Sequence, residues 1–134
     1  MTSLYPSPFL RQALLADAVT SGACALLMVS AAGILESVLG IPASLLRGAG
    51  LALVPFVAAL VFLAMRDAIP RAAAWAVIAL NGLWVADSFL ILLSGWIDPT
   101  RAGKAFIVAQ ALVVAMYAEL QFVGLRRSRP ATVS

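Results

Sequence analysis

Apolar residues fill four long runs of this chain, and short clusters rich in Pro, Gly and Arg separate them. The runs cover about residues 9–35, 42–65, 72–93 and 102–125. Each is close to the roughly 20 mostly apolar residues that a helix needs to cross a bilayer. Ser7-Pro8 has the form of an N-cap followed by a proline at the first helical position. Gly40 and Pro42 mark a tight turn, "RDAIPR" a second, and "GWIDPTRAGK" a third, in which Asp98-Pro99 again reads as N-cap and first helical residue. Pro55 falls inside the second run and predicts a kink there, because proline has no amide to donate to the preceding turn. The tail, "RRSRPATVS", is polar and expected to be disordered.

Short turns force consecutive helices to lie antiparallel. The pattern therefore predicts an all-α fold, an integral-membrane up-down four-helix bundle forming a single transmembrane domain over residues 1–134. Asp17 interrupts the first run, and that run continues too long for a cleavable leader, so it is expected to remain as the first span. The chain has no evident internal repeat, which argues against an inverted-repeat transporter.

Polar residues inside the runs are not scattered. At 100° per residue, Asp17, Thr20, Ser21, Cys24 and Met28 fall in a sector about 100° wide on the first span. Asn81, Trp84, Asp87 and Ser88 fall in a sector of about 120° on the third. Lipid satisfies no hydrogen bonds, so both stripes are expected to face protein or water. On the fourth span Gln110, Tyr117 and Gln121 align, whereas Glu119 lies about 180° away on an apolar stripe that includes Ala105 and Ala115. That second face is expected either to snorkel to the interface or to meet another subunit. Counting 1.5 Å per residue from Ala72, Asn81 lies about 13 Å deep and Asp87 about 22 Å deep. Asp17 and Glu119 fall in the other half, close enough in depth to meet and share a proton. The plainer expectation is a solvated, snorkelling Asp17 near the inner boundary and a Glu119 paired locally with Arg126, two turns on. Asp87 is divided between a hydrogen-bonded structural acid and a protonatable or cation-binding site. The candidate polar intramembrane site is thus Asp17, Asn81, Trp84, Asp87, Ser88, Gln110, Tyr117 and Glu119.

Composition supports the membrane reading. Of 134 residues, 63% are hydrophobic and 11% charged, and the mean hydropathy is +1.04. A soluble domain carries about 25% charged residues. The chain has no histidine, which excludes imidazole-ligated haem, His-containing zinc sites and His-based acid–base chemistry. Its one cysteine, Cys24, excludes an internal dithiol couple. No cofactor and no metal site is therefore expected. The formal charge of +3 comes from residues at segment ends and predicts topology, with no nucleic-acid binding. Arg11, Arg66, Arg71, Arg126, Arg127 and Arg129 make six on one side, and Arg47, Arg101 and Lys104 make three on the other. The richer side, with both termini, is expected to be cytoplasmic. Tyr5 and Trp96 sit at opposite predicted boundaries, as interfacial anchors would.

Three stretches, "SPFLRQALLADA", "NGLWVADS" and "AELQFVGLRR", give nearly the whole chain a resemblance to small uncharacterised four-span inner-membrane proteins of proteobacteria. The resemblance implies a bacterial inner-membrane location and no mechanism. With no catalytic motif, the expected function is non-enzymatic: an accessory or interaction subunit, either a homo-oligomer or part of a larger membrane complex. The rival expectation is a small proton-coupled transporter or channel using its intramembrane carboxylates.

Overall fold

The computed structural model describes residues 2–131. Its elements are β1 (Ser3–Tyr5), α1 (Pro8–Ser30), α2 (Ala32–Leu39), α3 (Ala43–Ala64), β2 (Ile69–Pro70), α4 (Arg71–Ser94), α5 (Arg101–Arg126) and β3 (Arg129–Ala131). The protein is an all-α bundle, and α1, α3, α4 and α5 are each long and apolar enough to cross a membrane. Ser7 caps α1 as its sequence requires, accepting a hydrogen bond from the Leu10 amide, with Pro8 at the first helical position. The third turn differs from expectation. Thr100, and not Asp98, is the N-cap of α5, accepting from the Gly103 amide. Pro55 lies inside a continuous α3.

The first apolar run is two helices. Ala31 leaves helical geometry (φ −115°, ψ 24°) and ends α1. Just before it, the Ser30 hydroxyl donates to the Leu26 carbonyl and competes for the helical acceptor. The short α2 then ends at Gly40, whose φ of 68° is the left-handed cap that glycine adopts without strain. Glu36 turns back and accepts from the Ala43 amide at 2.6 Å, capping the next helix from outside it.

Along the bundle, α1 packs most extensively on α3 and α4 on α5, and the two pairs join where α1 meets α5. Toward the end holding the termini, Leu60, Leu63 and Ala64 of α3 cluster with Leu10 and Leu14 of α1 and with Ala74 and Val77 of α4. Here the chain departs from pure helix. β1 is the central strand of a small antiparallel sheet of order β2-β1-β3, pairing Leu4 with Ile69 on one side and with Pro130 on the other. Residues 129–131, expected to be disordered, are thus ordered by pairing with the N-terminus, while the rest of that expected tail, 132–134, lies outside the described residues. Leu4 and Ile69, paired within this sheet, are both buried. Ser7 donates its amide to the Ser128 hydroxyl and its own hydroxyl to the Gly124 carbonyl, both at 2.9 Å. The Arg11 guanidinium donates to the Ala64 and Arg66 carbonyls and so satisfies the end of α3.

At the opposite end, Thr100 donates its hydroxyl to the Val38 carbonyl (2.8 Å) and its amide to the Leu39 carbonyl (2.9 Å). This clamp ties the end of α2 to the start of α5. It requires Gly103, because a Cβ there would come within 1.9 Å of the Leu39 carbonyl oxygen.

Gly124 makes the corresponding close approach at the terminal end, where a Cβ would lie 2.6 Å from the Leu10 Cα. Gly124→Ala is expected to destabilise the bundle, because overpacking of about 1–3 kcal/mol exceeds the gain of roughly 0.5–1 kcal/mol in helix propensity. Gly33→Ala, at a site with nothing within 4 Å, should be neutral or slightly stabilising. Unfolding titrations of both variants in mixed micelles check the contrast, which a loss of stability at Gly33 alone would contradict.

Candidate functional site

The polar stripes of α1, α4 and α5 turn inward and meet in layers. In the first layer Asp17 is fully buried, at 0% exposure. Ser21 donates to its Oδ1 at 2.9 Å, while Asn81 (2.9 Å) and Gln121 (2.7 Å) both donate to its Oδ2. Asn81 Nδ2 also donates to Gln121 Oε1 at 2.8 Å. The three side chains that reach Asp17 all donate to it.

This corrects two expectations. Asp17 is not a snorkelling surface acid: α1 ends at Ser30, which moves Asp17 toward the middle of a shorter span. Nor does it meet Glu119. Gln121, two residues on and therefore about 200° around the helix, takes that place. Glu119 is exposed on the outer face of α5. It is not joined to Arg126, whose guanidinium lies over the Phe122 ring, 5.8 Å from its centroid.

The next layer is a single contact, Thr20 Oγ1 to Tyr117 Oη at 2.6 Å, joining α1 to α5. The layer beyond it joins α4 to α5. Trp84 Nε1 donates to Gln110 Oε1 at 2.6 Å, and Gln110 Nε2 donates to Ser88 Oγ at 3.0 Å and to the Ile107 carbonyl at 2.7 Å. Ser88 in turn donates to the Trp84 carbonyl. Among the described residues, no buried side-chain nitrogen or oxygen lacks a partner.

Seven of the eight candidates therefore lie on the inner side of the bundle or at its opening, and Glu119 lies outside. Gln121, the residue that completes the Asp17 layer, was not among the candidates. Its alignment with Gln110 and Tyr117 was the available signal. Asp87 occupies a different environment from the rest. It is exposed and borders a cleft of about 880 Å³. The cleft is walled by all four long helices and opens between α3 and α4. Ala52, Pro55 and Ala59 form one rim and Leu80, Leu83 and Asp87 the other, all exposed. Its walls are apolar apart from the edges of the polar layers, and among the described residues Asp87 is the one charged group that lines it. A second hollow of about 330 Å³, lined by Asp87, Leu90, Ile91, Ser94 and Trp96, adjoins it through Asp87 and Ile91.

No known protein family, no curated protein and no solved structure matches the chain.

The Asp17 layer predicts a contrast between two substitutions. Asp17→Asn keeps an acceptor for Asn81 and Gln121, and the Ser21 hydroxyl can turn to accept from one N–H of the new amide, so it should be the milder of the two. Asp17→Leu strands both amides in the bundle interior and should cost about 1–3 kcal/mol. Equilibrium unfolding in lipid–detergent mixtures compares the two, and equal losses would show that the layer is not held by these hydrogen bonds.

Proposed function

We propose that this chain is a non-enzymatic membrane binding module, which holds a bilayer-soluble component in the cleft between α3 and α4. The observation that carries it is the contrast between a polar interior whose groups satisfy one another and a lateral opening they do not fill. An apolar hollow open to the bilayer is filled by whatever hydrophobic matter fits it. The exposed Glu119 face of α5, interrupted by small alanines, favours a homo-oligomer or a larger complex assembled on that side.

The six-to-three excess of basic residues at the end bearing the sheet supports a cytoplasmic position for both termini. With the resemblance to four-span proteins, it supports a bacterial inner-membrane location. Reporter fusions after Ser134 and within the 97–103 turn test this, and a periplasmic C-terminal reporter would overturn it.

A specific observation favours one further reading. Asp87 stands on the cleft with no basic residue among its described lining, as a proton-coupled transporter or channel would require of a titrating carboxylate. In that case Asp87→Asn abolishes proton-coupled flux in liposomes while leaving the fold intact. The binding reading is tested by purifying the protein into native-lipid nanodiscs and identifying what extracts with it. The wild type is expected to retain a stoichiometric lipophile, and the double variant Ala52→Phe, Leu83→Phe, with its cleft blocked, to lose it. A folded wild type that retains nothing would count against binding.

A further inference from the structure

We infer that the occupant of the cleft is a lipophilic ammonium compound, with its alkyl body between α3 and α4 and its cationic head in the adjoining hollow beside Asp87 and Trp96. The inference deepens the binding reading and rests on it. Size comes first. The cleft holds about 880 Å³, within the roughly 300–1,000 Å³ of ordinary small-molecule sites.

The second argument is charge. The main cleft is apolar, and its one charged lining group among the described residues is Asp87, which also lines the smaller hollow of about 330 Å³. Asp87 makes no hydrogen bond among the described residues, unlike the buried Asp17. An intramembrane carboxylate is costly without a partner, so a cation of the ligand is the complement this position lacks. The hollow adds one feature that suits an ammonium group: Trp96 lines it, an aromatic side chain of the kind that attracts cations.

The third argument concerns phosphate. Among the described residues neither hollow is lined by a lysine or arginine. A phospholipid head would bring its phosphate beside Asp87 with nothing to neutralise it. A free alkylammonium compound meets no such repulsion, so this source is favoured over an aminophospholipid. Geometry fits the division into head and body. Asp87 lies seven residues before Ser94, the end of α4, so the head sits about 10 Å below that end. The body runs from there toward Asn81, at the floor of the main cleft.

The experiment uses the full chain carrying Trp75→Phe, in phosphatidylcholine nanodiscs, so that fluorescence comes from Trp84 and Trp96. The probe is undecyltrimethylammonium with bromine at the far end of its chain, compared with the matched bromo-alcohol and bromo-carboxylate. Saturable quenching by the ammonium probe at concentrations about tenfold below those of the other two is expected. Asp87→Asn should remove that preference while leaving the alcohol's binding unchanged, and Asp87→Glu should keep it. Trp96→Leu, read through Trp84, should weaken the ammonium probe alone by about threefold. Saturable and equal binding of all three probes would overturn the ammonium assignment and leave the binding reading standing. No saturable quenching by any probe would overturn both. Displacement of the probe when phosphatidylethanolamine replaces part of the disc lipid would overturn the free amine in favour of a lipid head.

Discussion

A carboxylate in the middle of a membrane span has to find its hydrogen bonds inside the protein, and the arrangement of this bundle follows from how Asp17 does so. Its donors come from three different helices: Ser21 from its own, Asn81 from α4 and Gln121 from α5. Two amides that serve the same oxygen, and also bond to each other, fix the rotation of α4 and α5 about their axes. Once those rotations are set, Trp84 and Gln110 face one another further along, and Tyr117 faces Thr20. Lipid offers these groups nothing, so the alternative rotations are excluded by the cost of stranding an amide in hydrocarbon. α3 contributes no side chain to any of these layers. It is held by apolar packing on α1, which leaves its distance from α4 free of polar constraint.

The two ends of the molecule explain why that gap is a cleft and not a collapsed seam. At one end Leu4 and Ile69 of the small sheet cluster with Leu60 and Val77, which draw α3 and α4 together. At the other, Thr100 binds the end of α2 to α5, and the turn through Gly40 hands the chain back to α3. α3 is thereby suspended between two fixed points, with small residues such as Ala52 and Ala59 along its rim that do not reach across. Filling the space would need larger side chains or a different path for α2.

Hydropathy made the four spans legible, and the caps at Ser7 and Gly40 were legible because their chemistry is local. The inward face of Asn81, Trp84 and Ser88 was also readable, since a stripe that lipid cannot satisfy has one place to go. What escaped were features decided by partners distant in sequence. Ala31 ends a helix without proline or adjacent glycine to announce it. Thr100 outcompetes Asp98 as a cap because its hydroxyl also reaches Val38. Asp17 reads as a boundary acid on an apolar run that the structure divides in two. Gln121, not Glu119, faces it, a distinction that depends on the rotation of α5 and not on depth. The tail carried no apolar pattern, and its order as far as Ala131 comes from pairing with Ser3–Tyr5.

That pairing has a consequence for how the chain comes to be assembled. The central strand of the sheet is made among the first residues, yet one of its partners is among the last. The Ser7–Ser128 hydrogen bond spans 121 positions. Contacts between sequence-distant residues carry the largest loop-closure entropy and form late. During synthesis α1 can pack on α3 as soon as both are inserted, and α4 and α5 can join as a helical hairpin. Leu4 and Leu10, however, must wait with apolar surface uncovered until Gly124 and the strand after it emerge. The terminal sheet is therefore the final closure of the fold. A chain stopped short of residue 128 would still carry all four long helices but lack this closure.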